Sequence, residues 1–215
     1  MSSARIIGPG RAGSALAIAL DEIGWTTSTL GRGDDLGPAA DGVDLVVIAT
    51  PDAAIADVAA AVRPSPTTVV AHLAGSSGID VLEAHPRRGA LHPLVALPDG
   101  PTGARRLRSG VWFAVAGDPL VEAIAVELGG TPFEIADAHR AGEHAAAVIA
   151  STHLVALLGQ AERVGDAAGV PFAALLDLVR ATVAIVAELG PAAALTGPAA
   201  RGDDHTIERH LAALD

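Results

Sequence analysis

The stretch Gly8-Pro9-Gly10-Arg11-Ala12-Gly13 decides the fold of this chain. It has the spacing G-x-G-x-x-G, follows a short apolar run at residues 5–7 and opens a helical pattern over residues 12–23. In that context the first glycine permits a tight turn, the second lets a pyrophosphate approach the backbone, and the third allows close helix–strand packing. Free N–H groups at the helix start favour an anion. The sequence therefore predicts a dinucleotide site at residues 8–13; the alternative is a glycine-rich turn kept for packing alone.

Strand and helix patterns alternate through the rest of the first half. Strands are predicted at residues 5–7, 26–30, 45–49, 67–73, 111–116 and 133–136, and helices at residues 12–23, 50–62, 79–84 and 120–128. The continuous apolar run at 45–49 is typical of a strand that is buried on both faces. This alternation indicates right-handed crossovers and a doubly wound sheet, so the predicted fold class is α/β.

The pattern after residue 137 is helical only. Helices are predicted at about 139–168, 172–189 and 204–214, and the first of them is expected to break near Gly159 or Gly165. We therefore expect two domains. Residues 1–137 would form the dinucleotide-binding domain, and residues 138–215 a smaller all-α domain for substrate binding and dimerisation.

Composition excludes several classes of chemistry. The chain has 215 residues, a net charge of −11 and no Cys, and all 14 basic side chains are Arg because Lys is absent. Without Lys there is no Schiff base and no P-loop lysine. Without Cys there is no disulfide, thiolate nucleophile or Cys-bound zinc. The acidic balance argues against a nucleic-acid partner, which needs a basic face.

The longest mostly apolar run covers residues 145–161 and is interrupted by polar residues. It is shorter than the roughly 20 residues that a membrane span needs, so we predict a buried helix and no membrane partner. The first residues lead straight into the apolar run before Gly8 and do not have the pattern of a signal peptide. We therefore expect a cytoplasmic location.

The end of the second predicted strand bears on the choice between NADP and NAD. NAD-binding proteins usually carry an acidic residue there to hold the ribose 2′-OH. Here the strand is followed by Arg32, and Asp34 comes slightly late. A guanidinium can bind a 2′-phosphate bidentately, which favours NADP. The alternative is that Arg32 is solvated and Asp34 takes the acidic role, as in NAD-dependent proteins.

Further candidates follow the other strands at the same predicted sheet edge. Thr50 and Pro51 come after the third strand and would line the cofactor. His72 and Ser76 come at and after the end of the next strand, and His92 precedes a proline, which holds its backbone extended. These side chains could face the nicotinamide or a substrate. For each histidine taken singly, a structural or surface role is the alternative.

The chain resembles, over nearly its whole length, the Rossmann-like proteins that carry the domain of unknown function 2520. The resemblance is carried by residues 8–13, residues 72–78, His92-Pro93, Glu143-His144-Ala145-Ala146, Thr196-Gly197-Pro198, Arg201-Gly202-Asp203 and His210-Leu211. That family lies in the 6-phosphogluconate dehydrogenase-like group, with pyrroline-5-carboxylate reductase and ketopantoate reductase. The resemblance implies an N-terminal NAD(P)-binding domain, a C-terminal helical domain that often forms a homodimer, and a reductase of unknown substrate.

The chain departs from the family's pattern at a few positions. Glu143 stands before His144 where the family tends to have Tyr, and Thr152 follows Ser151 where it tends to have Asn. The family also usually continues with more helix beyond the position of Leu214. Thr152 is a candidate substrate-binding residue together with Ser76. The catalytic lysine of the β-hydroxyacid dehydrogenase relatives has no counterpart here.

Because that lysine is absent, another side chain must supply the proton. Hydride transfer itself is the cofactor's own chemistry. His144 is the first choice because imidazole titrates near neutral pH, and His92 and His72 come next. Arg201 and Asp203 could close over a substrate carboxylate. The alternative for Asp203 is that it caps the last helix, and the two roles can coexist.

These features predict an NADP-dependent reductase that transfers a hydride to a small carbonyl or imine substrate in a cleft between the domains. The alternative is a dinucleotide-binding sensor or scaffold that has lost turnover; Thr152 favours it and the retained histidines oppose it. A metal site is not expected, since His139 and His144 do not have the spacing of H-E-x-x-H. Residues 75–78 are not a G-x-S-x-G elbow, which argues against a hydrolase.

Overall fold

The computed structural model describes residues 1–214, and this part of the chain contains one seven-stranded sheet. Its strands are β1 (Ser3–Ile7), β2 (Thr26–Leu30), β3 (Leu45–Ile48), β4 (Val69–His72), β5 (Arg88–Pro93), β6 (Trp112–Gly117) and β7 (Thr131–Glu134). Their order is β2-β1-β3-β4-β5-β6-β7, and neighbouring strands are parallel except for β5 and β6. The predicted fold class, a doubly wound α/β sheet followed by helices, is confirmed.

The helices of the described residues are α1 (Arg11–Asp21), α2 (Ile55–Ala61), α3 (Gly100–Leu107), α4 (Pro119–Glu127), α5 (Asp137–Val148), α6 (Leu154–Ala167), α7 (Phe172–Leu189), α8 (Pro191–Ala194), α9 (Pro198–Arg201) and α10 (Asp204–Ala212). Short 3-10 helices cover Asp52–Ala54 and Ile79–Leu82, and a π-helical turn covers Ile149–His153. Every predicted helix is present, and α7 has the predicted bounds.

Period-two alternation in the central strands explains why the sheet is covered on both faces. Leu45 and Val47 of β3 pack in a cluster with residues of α1, α3 and α4, whereas Val46 and Ile48 pack in a second cluster with residues of α2. All four side chains are completely buried, each contributing about 1.5–3 kcal/mol by the usual transfer scale. The apolar run that predicted a buried strand is therefore the centre of both cores.

Two elements of the first half were not predicted, β5 and α3. β5 contains Gly89 and ends in Pro93, both of which are poor strand formers, and it runs antiparallel to β6. α3 contains two glycines, although Asp99 caps it by accepting a hydrogen bond from the Thr102 N–H at 2.7 Å. The antiparallel β5–β6 pair is therefore a feature of this doubly wound sheet that the sequence did not indicate. Tertiary packing overrides weak local propensity in both elements.

The long helical region after residue 137 differs from the prediction in two ways. Its α-helical pattern is interrupted by the π-helical turn Ile149–His153, not at Gly159 or Gly165, which lie inside α6. The predicted buried helix over residues 145–161 is mostly exposed in the single chain. α5, the π-helical turn and α6 together form a continuous 31-residue helix, Asp137–Ala167. By length and composition alone, this helix could cross a membrane. Length and composition are weak evidence for a membrane span, because core helices of other proteins pass the same test.

Internal contacts divide the chain into two compact units, Met1–Ile149 and a second that begins at Ala150. The division falls later along the chain than the expected boundary at residues 137/138. The reason is that α5 packs within the first unit. Arg140 is completely buried there, and the Asp137 carboxylate accepts a hydrogen bond from the Ile79 N–H at 3.1 Å.

Candidate functional site

The glycine loop between β1 and α1 is held by close backbone contacts. Gly8 has a φ of 98°, a conformation that L-residues with a Cβ rarely adopt. Its N–H donates to the Leu30 carbonyl at 2.9 Å, which ties the loop to the end of β2. A Cβ on Gly13 would overlap the Gly8 carbonyl oxygen and lie 3.1 Å from the Ala49 Cβ. Both glycines are therefore required by the packing of the loop.

Gly10 has the opposite surroundings. A Cβ built on Gly10 meets no atom within 4 Å, so the space beside its backbone is open. Gly10 is also the N-cap of α1, which has no side-chain cap and no acidic residue in its first turn. The helical hydrogen bonds begin with the Ser14 N–H, which donates to the Gly10 carbonyl at 2.9 Å. The N-terminus of α1 thus has the uncapped donors that an anion binds.

Arg32 and Asp34, the two candidates for recognising the ribose after β2, have different surroundings. Asp34 folds back so that its carboxylate accepts a hydrogen bond from the Gly31 N–H at 2.7 Å. Arg32 is exposed, and within residues 1–214 its side chain has no hydrogen bond or ion pair. Asp34 is therefore engaged in holding the turn, whereas the guanidinium of Arg32 is available to a ligand.

Thr50 lies directly beside the glycine loop. Its Cγ2 would be 3.2 Å from a Cβ on Gly8, and its hydroxyl oxygen is buried without a hydrogen-bond partner among the described residues. Pro51 is exposed and is the N-cap of the 3-10 helix Asp52–Ala54. An unpaired buried hydroxyl is costly, which makes Thr50 a candidate to bond a molecule at this edge.

His72, the last residue of β4, is completely buried. Its Nε2 lies 3.1 Å from the Gly78 carbonyl oxygen, which can only accept, so this nitrogen carries the proton. Its Nδ1 is buried and unpartnered among the described residues. Burial lowers the pKa of His72, and the hydrogen bond to Gly78 only partly opposes this effect. His72 is therefore a neutral side chain that holds the loop at residues 73–78.

His92 and His144 meet at this loop. Their rings form an edge-to-face pair with centroids 5.6 Å apart. A Cβ on Gly75 would lie 2.8 Å from His92 Nε2 and even closer to His144 Nδ1, so Gly75 leaves the room in which the two imidazoles sit. His92 Nδ1 lies 3.1 Å from the Leu73 carbonyl oxygen and therefore carries the proton, which leaves Nε2 as an acceptor. The structure thus brings together two of the three predicted histidines.

The pKa of His92 is lowered, mainly by burial. Its hydrogen bond to the Leu73 carbonyl and the charge of Glu143 raise the pKa, whereas His144 and Arg140 lower it further. The net effect favours a neutral imidazole at His92 near pH 7.

Sequence reasoning missed Arg140 and Asp137. The Arg140 side chain is completely buried, and its Nε donates to Asp137 at 3.2 Å. The two terminal nitrogens of Arg140 are also buried and have no partner among the described residues. Arg140 precedes His144 by four positions and so shares its helix face, a spacing that could have identified it.

The sequence indicates Glu143 only through the family resemblance, as a departure from the family's pattern beside His144. Both of its carboxylate oxygens are buried and lack a hydrogen-bond partner in the described chain. The same holds for Nδ1 of its neighbour His144. Several orphaned polar groups, one of them a buried cation, therefore lie close to the paired imidazoles of His92 and His144. In native proteins most buried polar atoms are hydrogen-bonded, so such a cluster is typical of a binding site.

The remaining candidates have other surroundings. Ser76 is exposed and donates to Asp52 at 3.1 Å. Thr152 is exposed in the π-helical turn, a feature often found at functional sites. Asp203 caps α10 by accepting a hydrogen bond from the Thr206 N–H at 3.1 Å, as the alternative expected. Arg201, at the end of α9, is exposed. Over residues 1–214 no group of three potential metal ligands is found.

Comparison with solved structures identifies the class of fold. A Bacteroides fragilis protein provisionally assigned as an NADP oxidoreductase is 23% identical, with a TM-score of 0.82 over 99% of this chain and 91% of its own. A Thermotoga maritima protein is 23% identical, with a TM-score of 0.69 over 96% and 87%. A reductive aminase from Aspergillus terreus, solved with NADPH and ethyl levulinate, is 18% identical, with a TM-score of 0.69 over 88% and 75%. At these identities the likeness establishes a shared Rossmann-like fold.

A family model matches a little less than half of the chain. Residues 113–215 match the model of the family described as "Domain of unknown function (DUF2520)". The resemblance stated from the sequence is thereby confirmed for this part of the chain. No curated protein matches the chain in sequence.

Proposed function

We propose that the protein is an NADP-dependent reductase of small carbonyl or imine compounds. The observation that carries this proposal is the open, uncapped N-terminus of α1 at Gly10, at the sheet edge that also carries the His92–His144 pair. Gly8, Pro9, Gly10, Arg11, Ala12 and Gly13 would hold the pyrophosphate, and Thr50 and Pro51 would line the cofactor. Proteins of the same fold that are described as an NADP oxidoreductase and a reductive aminase with NADPH support the proposal.

The surroundings of Arg32 and Asp34, which follow β2, favour NADP over NAD. Arg32 has a free guanidinium, whereas the Asp34 carboxylate is already bonded to the Gly31 N–H. A free guanidinium suits a 2′-phosphate, and a carboxylate that is occupied is less suited to a ribose hydroxyl.

Bound NADPH would supply a hydride to the carbonyl or imine carbon and leave as NADP⁺. His144 would give a proton to the oxygen or nitrogen of the reacting bond, since its Nδ1 is unpartnered at the Gly75 loop. His92 would orient His144 through the edge-to-face contact, and His72 would hold the loop through the Gly78 carbonyl.

Residues from both halves of the chain would bind the substrate. We propose that residues 1–137 hold the cofactor and that residues 138–215, which begin with the part of α5 that packs in the first compact unit, bind the substrate and form the dimer. Thr152, Arg201, Asp203 and Ser76 remain proposed substrate-binding residues, and a cytoplasmic location remains part of the proposal. The exposure of Arg201 and the position of Thr152 in a π-helical turn support these roles.

Nucleotide binding tests the proposal directly. NADPH is expected to raise the Tm of the protein more than NADH does, and Arg32→Ala should remove most of this difference. The loss of a charge-assisted contact predicts a roughly tenfold or greater weakening of NADPH binding alone. Calorimetry on wild type, Arg32→Ala and the exposed control Arg105→Ala measures it. Failure of both nucleotides to bind would overturn the cofactor assignment.

Turnover separates the enzyme from its alternative. NADPH oxidation is measured with small keto acids, with ketones plus amines, and with cyclic imines. Oxidation with any of these classes supports a reductase. Tight NADPH binding without oxidation across the whole set would instead indicate a dinucleotide-binding sensor.

We also propose a homodimer formed through α6 and α7. None of the residues of α7 is buried in the single chain. Leu178 and Val183 of α7 and Val155 and Leu157 of α6 are more than half exposed. Apolar surface of this extent usually marks an interface. A second copy is the occupant we favour, because the resemblance to the family implies a dimer.

Val183→Glu is expected to convert the dimer into a monomer, because it puts a charge into the apolar interface. Sedimentation equilibrium should give twice the 21.4 kDa chain mass for wild type and the single mass for the variant. Val126→Glu, at a position 57% exposed on α4, is the control and should remain dimeric. A monomeric wild type, or one that sediments with lipid vesicles, would contradict the proposal.

A further inference from the structure

Arg140 is completely buried, and Glu143, of opposite charge, is half-buried with both of its carboxylate oxygens inaccessible. Within the described residues, Arg140 forms an ion pair with Asp137, and no ion pair joins it to Glu143. The terminal nitrogens of Arg140 and both carboxylate oxygens of Glu143 are inaccessible and lack hydrogen-bond partners in residues 1–214. Buried charged groups whose donors or acceptors are left without hydrogen bonds are costly, so these atoms are expected to meet a ligand.

The Arg140–Asp137 contact leaves the guanidinium only partly satisfied. One carboxylate oxygen of Asp137 accepts a hydrogen bond from Arg140 Nε, and the other accepts one from the Ile79 N–H. The two terminal nitrogens of Arg140 therefore remain as a fork of donors with no acceptor among the described residues. Such a fork matches the two oxygens of a carboxylate, which a guanidinium binds bidentately.

Both charges act on the same histidine. The carboxylate of Glu143 raises the pKa of His92 and the guanidinium of Arg140 lowers it, although burial has the larger effect. Arg140 also lowers the pKa of His72. The two groups therefore lie within electrostatic range of the imidazole pair where the reacting bond is proposed to lie. A ligand with one negative and one positive end would satisfy both.

We propose that Arg140 and Glu143 form a subsite for a small 2-imino acid, with the carboxylate on Arg140 and the cationic nitrogen on Glu143. This inference rests on the proposed function and names its substrate class. A proton from His144 makes the imine nitrogen cationic, and Glu143 stabilises that charge. The C=N carbon then accepts the hydride, the C=N π bond becomes the nitrogen lone pair, and NADPH is oxidised to NADP⁺. The product is the 2-amino acid.

Three probes test the subsite by calorimetry: 2-aminobutyrate, butyrate, which lacks the amine, and propylamine, which lacks the carboxylate. The full-length protein is titrated with each, with and without NADP⁺. Wild type is expected to bind 2-aminobutyrate at least about tenfold more tightly than either single-charge probe, since each charged contact contributes about 1.5–3 kcal/mol. Equal binding of the three, or no binding of 2-aminobutyrate, would overturn the proposal.

Substitutions test which residue binds the amine of 2-aminobutyrate and which binds its carboxylate. Glu143→Gln is expected to abolish the preference over butyrate, and Arg140→Met the preference over propylamine. Glu122→Gln, an exposed carboxylate on α4, should leave both preferences unchanged. Loss of the carboxylate preference in Arg201→Gln but not in Arg140→Met would also overturn the assignment. Far-UV circular dichroism monitors folding; if Arg140→Met does not fold, the isosteric Glu143→Gln variant alone decides the outcome.

The two proposals can fail separately. If NADPH binds and 2-aminobutyrate does not, the substrate class is wrong and the cofactor assignment stands. If 2-aminobutyrate binds with the expected preferences and NADPH does not, the subsite stands as an amino-acid site and the reductase assignment falls.

Discussion

Gly13→Ala is expected to destabilise the protein by about 3 kcal/mol, because the new Cβ would overlap the Gly8 carbonyl oxygen. That oxygen belongs to the backbone of a loop that Gly8 already fixes at a φ of 98°. The loop and α1 would have to separate, which also disrupts the proposed pyrophosphate site. Urea unfolding of wild type and variant measures the loss.

Gly10→Ala is expected to leave stability almost unchanged but to weaken NADPH binding. Its Cβ meets no atom within 4 Å, and its φ of −76° is suitable for alanine. Stability should therefore change by less than about 0.5 kcal/mol. NADPH binding should weaken by about tenfold or more, because the methyl group would occupy the space proposed for the pyrophosphate.

Gly142→Ala is the matched control for both substitutions. Gly142 is an exposed residue within α5, and a Cβ added there would also meet no atom within 4 Å. The change should stabilise the helix by about 0.5–1 kcal/mol and leave nucleotide binding unaltered. A Gly13→Ala protein as stable as wild type would contradict the close packing, and a Gly10→Ala protein that binds NADPH normally would contradict the proposed site.

His144→Gln is expected to lower kcat by about 100-fold or more, with a small effect on KM, if His144 is the proton donor. The reason lies in the unequal surroundings of the pair. Burial lowers the pKa of His92, so His92 is neutral at pH 7 and its one proton is held by the Leu73 carbonyl. Single-turnover measurements with the substrate found in the turnover assay separate proton transfer from product release.

His139→Gln controls for the loss of an imidazole on the same helix, since His139 is exposed on α5. It should retain the wild-type kcat. His92→Gln should lower kcat less than His144→Gln does, because His92 is proposed to orient its neighbour. The reverse order, with His92→Gln the more damaging, would show that the two histidines exchange roles.

The pKa of His92 also predicts how stability changes with pH. A histidine whose pKa is lowered in the folded protein binds protons more readily when unfolded, so stability is lost as the pH falls below the ordinary value of 6.5. His72 has the same sign of shift and acts in the same range. The groups that face His92 are Glu143, His144 and Arg140, and burial outweighs their combined effect.

Some elements follow from local sequence and others do not. β3 could be predicted because its apolar residues are adjacent, and α7 because one uninterrupted pattern begins after Pro171. β5 could not, because a strand with Gly89 and Pro93 is stabilised by its neighbours on both sides rather than by its own residues. The π-helical turn at Ile149–His153 contains no glycine or proline, whereas the sequence predicts a break at Gly159 or Gly165.

By itself the sequence determined the glycine loop, the alternating first half and the helical second half. Each of these is set by neighbours in the chain, through spacing, periodicity and backbone freedom. Only the tertiary structure decided that His92 and His144 meet across Gly75, and that the terminal nitrogens of Arg140 and the carboxylate oxygens of Glu143 are buried beside them without hydrogen-bond partners in the described chain. Burial and pairing depend on residues that are distant in the chain, since α5 has to pack on the loop after β4 before any of these groups is desolvated.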